Sequence, residues 1–156
     1  MKAKVKLAVL ITATREATIE DHYSVFSDNI CSAIHKYSNA TILKMSDIVL
    51  IHGDARGGDR VADKIGQDYG LTVERYPADW SRGRGAGHER NRTMIQRLLC
   101  YGLSGIPICC VAFFGIGLKN KGTGGCHEAA KKAGIPVEKV EIVIPPPRPP
   151  KVYYNC

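Results

Sequence analysis

Residues 47–76 have the sequence DIVLIHGDARGGDRVADKIGQDYGLTVERY, and this stretch decides the fold. A short apolar run at 47–52 leads through a glycine cluster into a segment whose apolar residues recur three and four apart. Gly70 then supplies a typical helix-ending signal, and a second strand-like run follows at 71–76. This order predicts strand, loop, helix and strand, which is the unit of a parallel sheet.

The same alternation continues on both sides of this stretch. We predict a first strand at residues 5–12, helices at 19–37, 86–101 and 123–133, further strands at 107–114 and 135–144, and loops at 77–85 and 115–122. Strands that are continuous apolar runs between helices indicate a parallel sheet covered on both faces. The sequence therefore predicts a single doubly wound α/β domain over residues 1–144, with a mainly parallel five-stranded sheet.

The composition excludes several classes of protein. The chain has 156 residues, of which 44% are hydrophobic and 24% charged, and these values do not fit a disordered, coiled-coil or collagen-like chain. No apolar run approaches the roughly 18 residues of a membrane span, so we expect a cytosolic protein without membrane contact. The tail at 145–156 contains PPPRPP, which favours polyproline II; it is either a simple extended tail or a ligand for a proline-binding partner.

Cysteine and histidine spacings indicate neither a disulfide framework nor a metal site. The chain has no CxxC and no HExxH, and two of its cysteines, Cys109 and Cys110, lie inside an apolar run. We expect most thiols to be reduced and structural. The sequence predicts no metal site and no resident cofactor.

Most of the net charge of +7 lies in one arginine-rich segment, residues 75–97. Six arginines against two acids give this segment a net charge of +4. Because the planar guanidinium group suits phosphate, the predicted partner is a nucleotide or a nucleic acid; a solvated basic face is the alternative.

In open parallel sheets the ligand crevice lies beyond the carboxyl ends of the strands, where the strand order reverses. The loops expected there carry glycine, hydroxyl groups and arginine, which suit phosphate binding at helix N-termini. The dinucleotide fingerprint GxGxxG is absent after the first strand, where residues 12–16 are TATRE. The P-loop pattern also fails, since Gly122 is followed by Thr123 and not by lysine. Neither an ordinary dehydrogenase nor a P-loop ATPase is supported.

The loops together resemble the SLOG superfamily of Rossmann-like nucleotide-binding proteins, most closely its YspA-like branch. The branch has G-x-x-x-G-x-D after a strand, then P-A-x-W, A-G-x-x-R-N-x-x-M and G-T, and the resemblance covers about residues 5–144. One departure is Ala13, where the family tends to have glycine. The matching residues are Gly53, Gly57, Asp59, Pro77, Ala78, Trp80, Ala86, Gly87, Arg90, Asn91, Met94, Gly122 and Thr123.

The resemblance implies binding of a nucleotide or a nucleotide derivative, by a protein that forms a homodimer. Two relatives frame the alternatives. The LOG phosphoribohydrolases, which hydrolyse an N-glycosidic bond, are similar at residues 88–90, but their glutamate after G-x-G-T is missing here, where the first acid is Glu128. DNA-processing protein A, which binds single-stranded DNA, is similar at residues 57–59 and 90–92.

The leading hypothesis is a phosphorylated small-molecule site in which Arg90 contacts phosphate or ribose. Catalytic roles for Arg90, Glu89 and His88 belong to the alternative of a nucleotide N-glycosidase or phosphohydrolase. Stacking of a base on Trp80 also fits single-stranded nucleic acid. Structural roles compete at several positions: helix capping by Asp59, Asn91 and Thr123, and tight turns at Gly57 and Gly58. The predicted ligand-binding residues are Thr14, Arg15, Gly53, Gly57, Gly58, Asp59, Trp80, Arg90, Asn91, Gly122 and Thr123.

Overall fold

The protein is described by a computed structural model that covers residues 4–38 and 44–154. A five-stranded sheet carries helices on both faces, which confirms the predicted α/β fold class. Short 3₁₀ helices lie at Met45–Asp47 and Trp80–Arg82. The main elements are β1 (Leu7–Ala13), α1 (Ile19–Tyr37), β2 (Ile48–His52), α2 (Gly58–Tyr69), β3 (Thr72–Arg75), α3 (Ala86–Leu103), β4 (Ile108–Gly115), α4 (Lys121–Lys132) and β5 (Val137–Ile142).

The strand order is β3-β2-β1-β4-β5, and every neighbouring pair is parallel. The order therefore reverses between β1 and β4, which pair in register with Thr12 opposite Ala112. The loops after β1 and β4 leave this point on opposite sides, and a crevice opens between them at the carboxyl edge of the sheet.

Two apolar layers cover the sheet. On one face, α1 and α2 pack over β1, β2 and β4, and Phe26 of α1 stacks on Phe113 of β4 with ring centroids 3.8 Å apart. On the other face, Met94 and Leu98 of α3 pack with α4 residues against the same strands. The edge strands β3 and β5 are only partly covered, because they carry charged residues among their apolar ones. Coverage on both faces, expected for the sheet as a whole, applies to its three central strands.

The helix boundaries follow the predictions, except that α3 continues to Leu103, two residues past its predicted end, and that α4 starts early. Gly70 ends α2 in the left-handed conformation with φ 73°. However, α4 begins at Lys121, two residues before the predicted start. Asn120 precedes it with φ 50°, and its side chain accepts from Gly115 N–H and donates to Gly115 O, both at 2.9 Å. This clasp closes the loop early and allows Gly122 to enter the helix.

Residues 143–154 belong to no helix or strand, and the tail returns toward the start of α1. Arg148 pairs with Glu20 at 2.9 Å, while Tyr153 and Tyr154 are largely exposed. The division into a domain at 1–144 and a tail at 145–156 stays a prediction. Cys156 lies outside the described residues, and the five described cysteines form no disulfide with one another. Over 4–38 and 44–154, no helix combines the length and apolarity needed to cross a bilayer.

Candidate functional site

A cavity of about 430 Å³ opens at the carboxyl ends of β1 and β4. We call it the α4 cavity, because the first turn of α4 forms one wall; the loop after β1 forms the other. Seven of the predicted ligand-binding residues line it, namely Thr14, Arg15, Asp59, Arg90, Asn91, Gly122 and Thr123. Sequence reasoning missed further lining residues, among them Glu16, Ala55, Leu118, Lys119, Asn120 and Lys121.

A second cavity of about 370 Å³ adjoins the first, and we call it the Trp80 cavity. Trp80 stands at its wall with 55% of its surface exposed, and the ring edge rests beside Gly87 of α3. Arg15 lies with its guanidinium carbon 5.7 Å from the centroid of the Trp80 ring. Arg15, Ala55 and Arg90 line both cavities, so the two spaces meet at these residues.

Gly57 and Gly58 support the site from beneath instead of lining it. Gly57 has φ 76° and ψ −121°, and a Cβ there would lie 2.6 Å from Arg15 Cα and closer still to the Arg15 carbonyl. Gly58 N–H donates to Thr14 O at 2.9 Å, and a Cβ at Gly58 would overlap Ala13. The close backbone approach expected at these glycines is therefore made by the loop after β1, which they hold against α2.

Arg90 lies between the two cavities and is held from two sides. Its Nη1 donates to Gly53 O, and its Nε donates to Asn91 Oδ1 at 2.9 Å. Among the described residues, Nη2 has no protein acceptor. Burial lowers the pKa of Arg90, but an arginine remains protonated at neutral pH. Arg90 is the fifth residue of α3, so its own N–H is not among the free N–H groups at that helix start.

Asn91 links α3 to α4, and it caps neither helix. Its Nδ2 donates to Gly122 O at 3.4 Å, while its Oδ1 accepts from Arg90. Thr123 is 4% exposed in the first turn of α4, and Asn120 occupies the cap position instead. The first turn of α4 therefore faces the cavity with Lys121, Gly122 and Thr123, at a helix end whose N–H groups favour anions.

Asp59 is a buried carboxylate on the floor of the α4 cavity. Its Oδ2 accepts from Ala55 N–H at 3.1 Å, which orders the loop after β2. Burial raises the pKa of Asp59 above its usual range, although Arg90 and the Ala55 N–H oppose that rise. The helix-capping role considered for Asp59 is wrong, since Gly57 is the cap residue of α2.

A second buried network fixes the base of the same loop. His52 Nδ1 accepts from Asp54 N–H at 2.9 Å, so Nε2 carries the proton and donates to Asp63 Oδ2 at 2.6 Å. Arg75 Nε donates to the same oxygen at 2.6 Å. Burial alone would raise the pKa of Asp63, but hydrogen bonds from Arg75, Gln67 and His52 outweigh it and hold that pKa well below its usual range.

His88 and Glu89, the other two catalytic candidates, line neither cavity. Both are exposed on α3, and Glu89 pairs with Arg82 at 3.1 Å. The arginine-rich segment is also partly neutralised, because Arg75 pairs with Asp63 and Arg97 pairs with Glu74. Arg84, Arg90 and Arg92 of this segment form no ion pair among the described residues, and of these three only Arg90 lines the two cavities.

The fold and this crevice define a Rossmann-like α/β domain. Its α4 cavity, at the point where the strand order reverses, is lined by groups that favour anions. The sequence model described as the YspA, cpYpsA-related SLOG family matches residues 7–83, from β1 through the loop that carries Trp80. Gene 61 protein of Mycobacterium phage D29 is 35% identical over 96 residues, which is 58% of this chain and 69% of that protein. The chain belongs to the YspA, cpYpsA-related SLOG family, a family associated with nucleotide-related binding or processing.

Proposed function

We propose that the protein binds a nucleotide or a nucleotide-derived small molecule in the α4 cavity and does not need to cleave it. The observation that carries this proposal is the meeting of the first turn of α4 with Arg15 and Arg90 at the switch point of the sheet. Helix N–H groups and guanidinium forks are both suited to holding phosphate.

The residues around the α4 cavity fit a ligand that has a phosphate at one end and a sugar at the other. Lys119 and Lys121 add positive charge on the α4 side, while Asp59 lies on the floor beside Arg90. A carboxylate can accept hydrogen bonds from sugar hydroxyls but repels phosphate. We therefore place the phosphate toward α4 and the arginines, and the ribose toward Asp59.

The test is a panel of mono-, di- and cyclic nucleotides and ADP-ribose derivatives, incubated with the protein and analysed by mass spectrometry after bound and free compounds are separated. We expect at least one compound to be retained intact. Arg15→Glu should abolish most of that retention, since Arg15 is exposed and lines both cavities.

Arg84→Glu is the matched control, because Arg84 is exposed, lines neither cavity and changes the net charge equally. Retention of nothing from the panel, or equal losses in the two variants, would overturn the proposed site. Arg90→Glu is harder to interpret, since it would also remove the structural bond from Arg90 to Gly53 O.

N-glycosidic hydrolysis is a second candidate function, and Asp59 is the observation in its favour. The glutamate expected after Gly122-Thr123 is absent, but Asp59 places a carboxylate on the cavity floor, and its raised pKa suits proton transfer. Water would add across the C–N bond and give free base and ribose phosphate. The same panel detects these products, and Asp59→Asn should abolish them; their absence after long incubation removes this candidate.

Single-stranded nucleic-acid binding is the weaker alternative, since three arginines of the basic segment are already paired within the protein. It predicts an affinity that falls steeply with salt, and a flat salt dependence would eliminate it. Homodimer formation and a cytosolic location stay predictions. Sedimentation as a monomer at high protein concentration would refute the former.

A further inference from the structure

The Trp80 cavity has its own character, distinct from that of the α4 cavity. It combines the exposed Trp80 ring and Pro77 with Arg56 and with Asp54, whose carboxylate pairs with Arg60 at 3.1 Å. The α4 cavity is instead formed around helix N–H groups, lysines and the buried Asp59. Trp80 has 55% of its surface exposed and lines this cavity, so its ring is open to a ligand that enters there.

The passage between the cavities is formed by two arginines. Arg15 contacts the Trp80 ring through its guanidinium group and forms no ion pair among the described residues. Arg90 offers Nη2 at the same place, while its other donors are already used by Gly53 and Asn91. Two guanidinium groups that form no ion pair among the described residues match two adjacent phosphate groups better than one. Arg15 can hold one phosphate in a bidentate manner, and Arg90 can donate to the other through Nη2.

Cavity size points in the same direction. Each cavity lies at the lower end of the range of about 300–1,000 Å³ that is typical of ligand pockets. A mononucleotide would occupy one cavity and leave the other to solvent. A longer molecule could pass between the arginines and use both.

We propose that the ligand consists of two ring-bearing halves joined by a diphosphate, an inference that rests on the proposed function. The diphosphate lies between Arg15 and Arg90, one half occupies the α4 cavity, and the base of the other half stacks on Trp80. The chemical class is a dinucleoside diphosphate or a nucleoside diphosphate linked to a sugar.

The test compares AMP, ADP, ADP-ribose and diadenosine diphosphate, with their guanosine counterparts, by titration calorimetry at fixed ionic strength. We expect a two-half compound to bind with one molecule per chain and at least about tenfold more tightly than the mononucleotide. Trp80→Ala should weaken the two-half compound by about tenfold or more and leave the mononucleotide nearly unchanged, whereas Lys121→Ala should weaken both.

Two variants keep the result interpretable. Trp80→Phe should retain most of the affinity through the remaining ring, and Tyr153→Ala removes an exposed aromatic residue that lies outside both cavities. Equal affinity for one-half and two-half compounds, or two mononucleotides bound per chain, would overturn this inference while the proposed function stands. If no compound of either kind binds, the proposed function itself fails.

Discussion

Replacing Gly53 with alanine should separate ligand binding from stability. Gly53 is outside the left-handed region, so its backbone accepts a side chain. A Cβ there would lie 2.7 Å from Arg90 Cζ and 2.9 Å from Arg90 Nε, and the guanidinium group would have to move. Because those atoms are the far end of a long side chain, Arg90 can leave without disturbing the sheet.

The magnitudes follow from what Arg90 contacts. Loss of a charge-assisted hydrogen bond to a ligand costs about 1.5–3 kcal/mol, or about 10- to 150-fold in affinity. The bond from Arg90 to Gly53 O is also charge-assisted, so its loss costs about 1.5–3 kcal/mol of stability, and alanine regains about 0.4–1 kcal/mol by restricting the unfolded chain. The free energy of unfolding should therefore fall by about 0.5–2.5 kcal/mol, which is less than the roughly 5–15 kcal/mol of a typical domain.

Calorimetric titration with the compound retained by the wild-type protein, together with urea unfolding, measures both quantities. Gly85→Ala is the matched control, since a Cβ at Gly85 meets no atom within 4 Å. Wild-type affinity in Gly53→Ala would refute the role of Arg90 in binding. A large loss of stability would refute the reasoning that the guanidinium group can move aside.

Three further substitutions test how the scaffold holds the site. Gly57→Ala should lower the free energy of unfolding by more than about 2 kcal/mol in urea titration, because both its φ of 76° and the nearby Arg15 backbone oppose a side chain; an unchanged midpoint would contradict this. Gly125→Ala should raise it by about 0.5–1 kcal/mol in thermal unfolding, since Gly125 is an exposed helical residue with no atom within 4 Å of an added Cβ; a lower midpoint would show an unrecognised contact. Asp63→Asn should cost about 2 kcal/mol at pH 7. Because the folded state lowers the pKa of Asp63, its stabilisation is complete above about pH 4 and is lost as the pH falls, so the difference from wild type should shrink in acid; a constant difference would exclude this linkage.

Much of the fold could be predicted because its signals are local. The strands β1, β2 and β4 are continuous apolar runs, and Gly70 ends α2 as expected. The start of α4 was missed because the sequence around Gly122 suggests a loop, and glycine is a poor helix former. What permits the earlier start is the clasp between Asn120 and Gly115, a specific side-chain geometry that apolar periodicity does not report.

The candidate site was predicted in outline, since loops at the carboxyl edge of a parallel sheet must converge. Its details depend on contacts between distant residues. Arg90 bonds to Gly53, 37 residues earlier in the chain, and this bond decides which guanidinium nitrogen faces the cavities. The arginine count likewise gave no sign that Arg75 and Arg97 are used by Asp63 and Glu74, because ion pairs across elements depend on the tertiary arrangement.

Arg15 shows how one residue can serve the scaffold and the site with different atoms. Its backbone lies against Gly57, where no other residue type fits, so the course of the loop after β1 is fixed by α2. Its side chain, by contrast, is exposed, contacts Trp80 and lines both cavities. Substitution of the Arg15 side chain should therefore alter binding at little cost in stability, whereas substitution of Gly57 should lower stability and also displace the loop that presents Arg15. A site formed in this way can change the side chain that meets its ligand without changing the backbone that presents it.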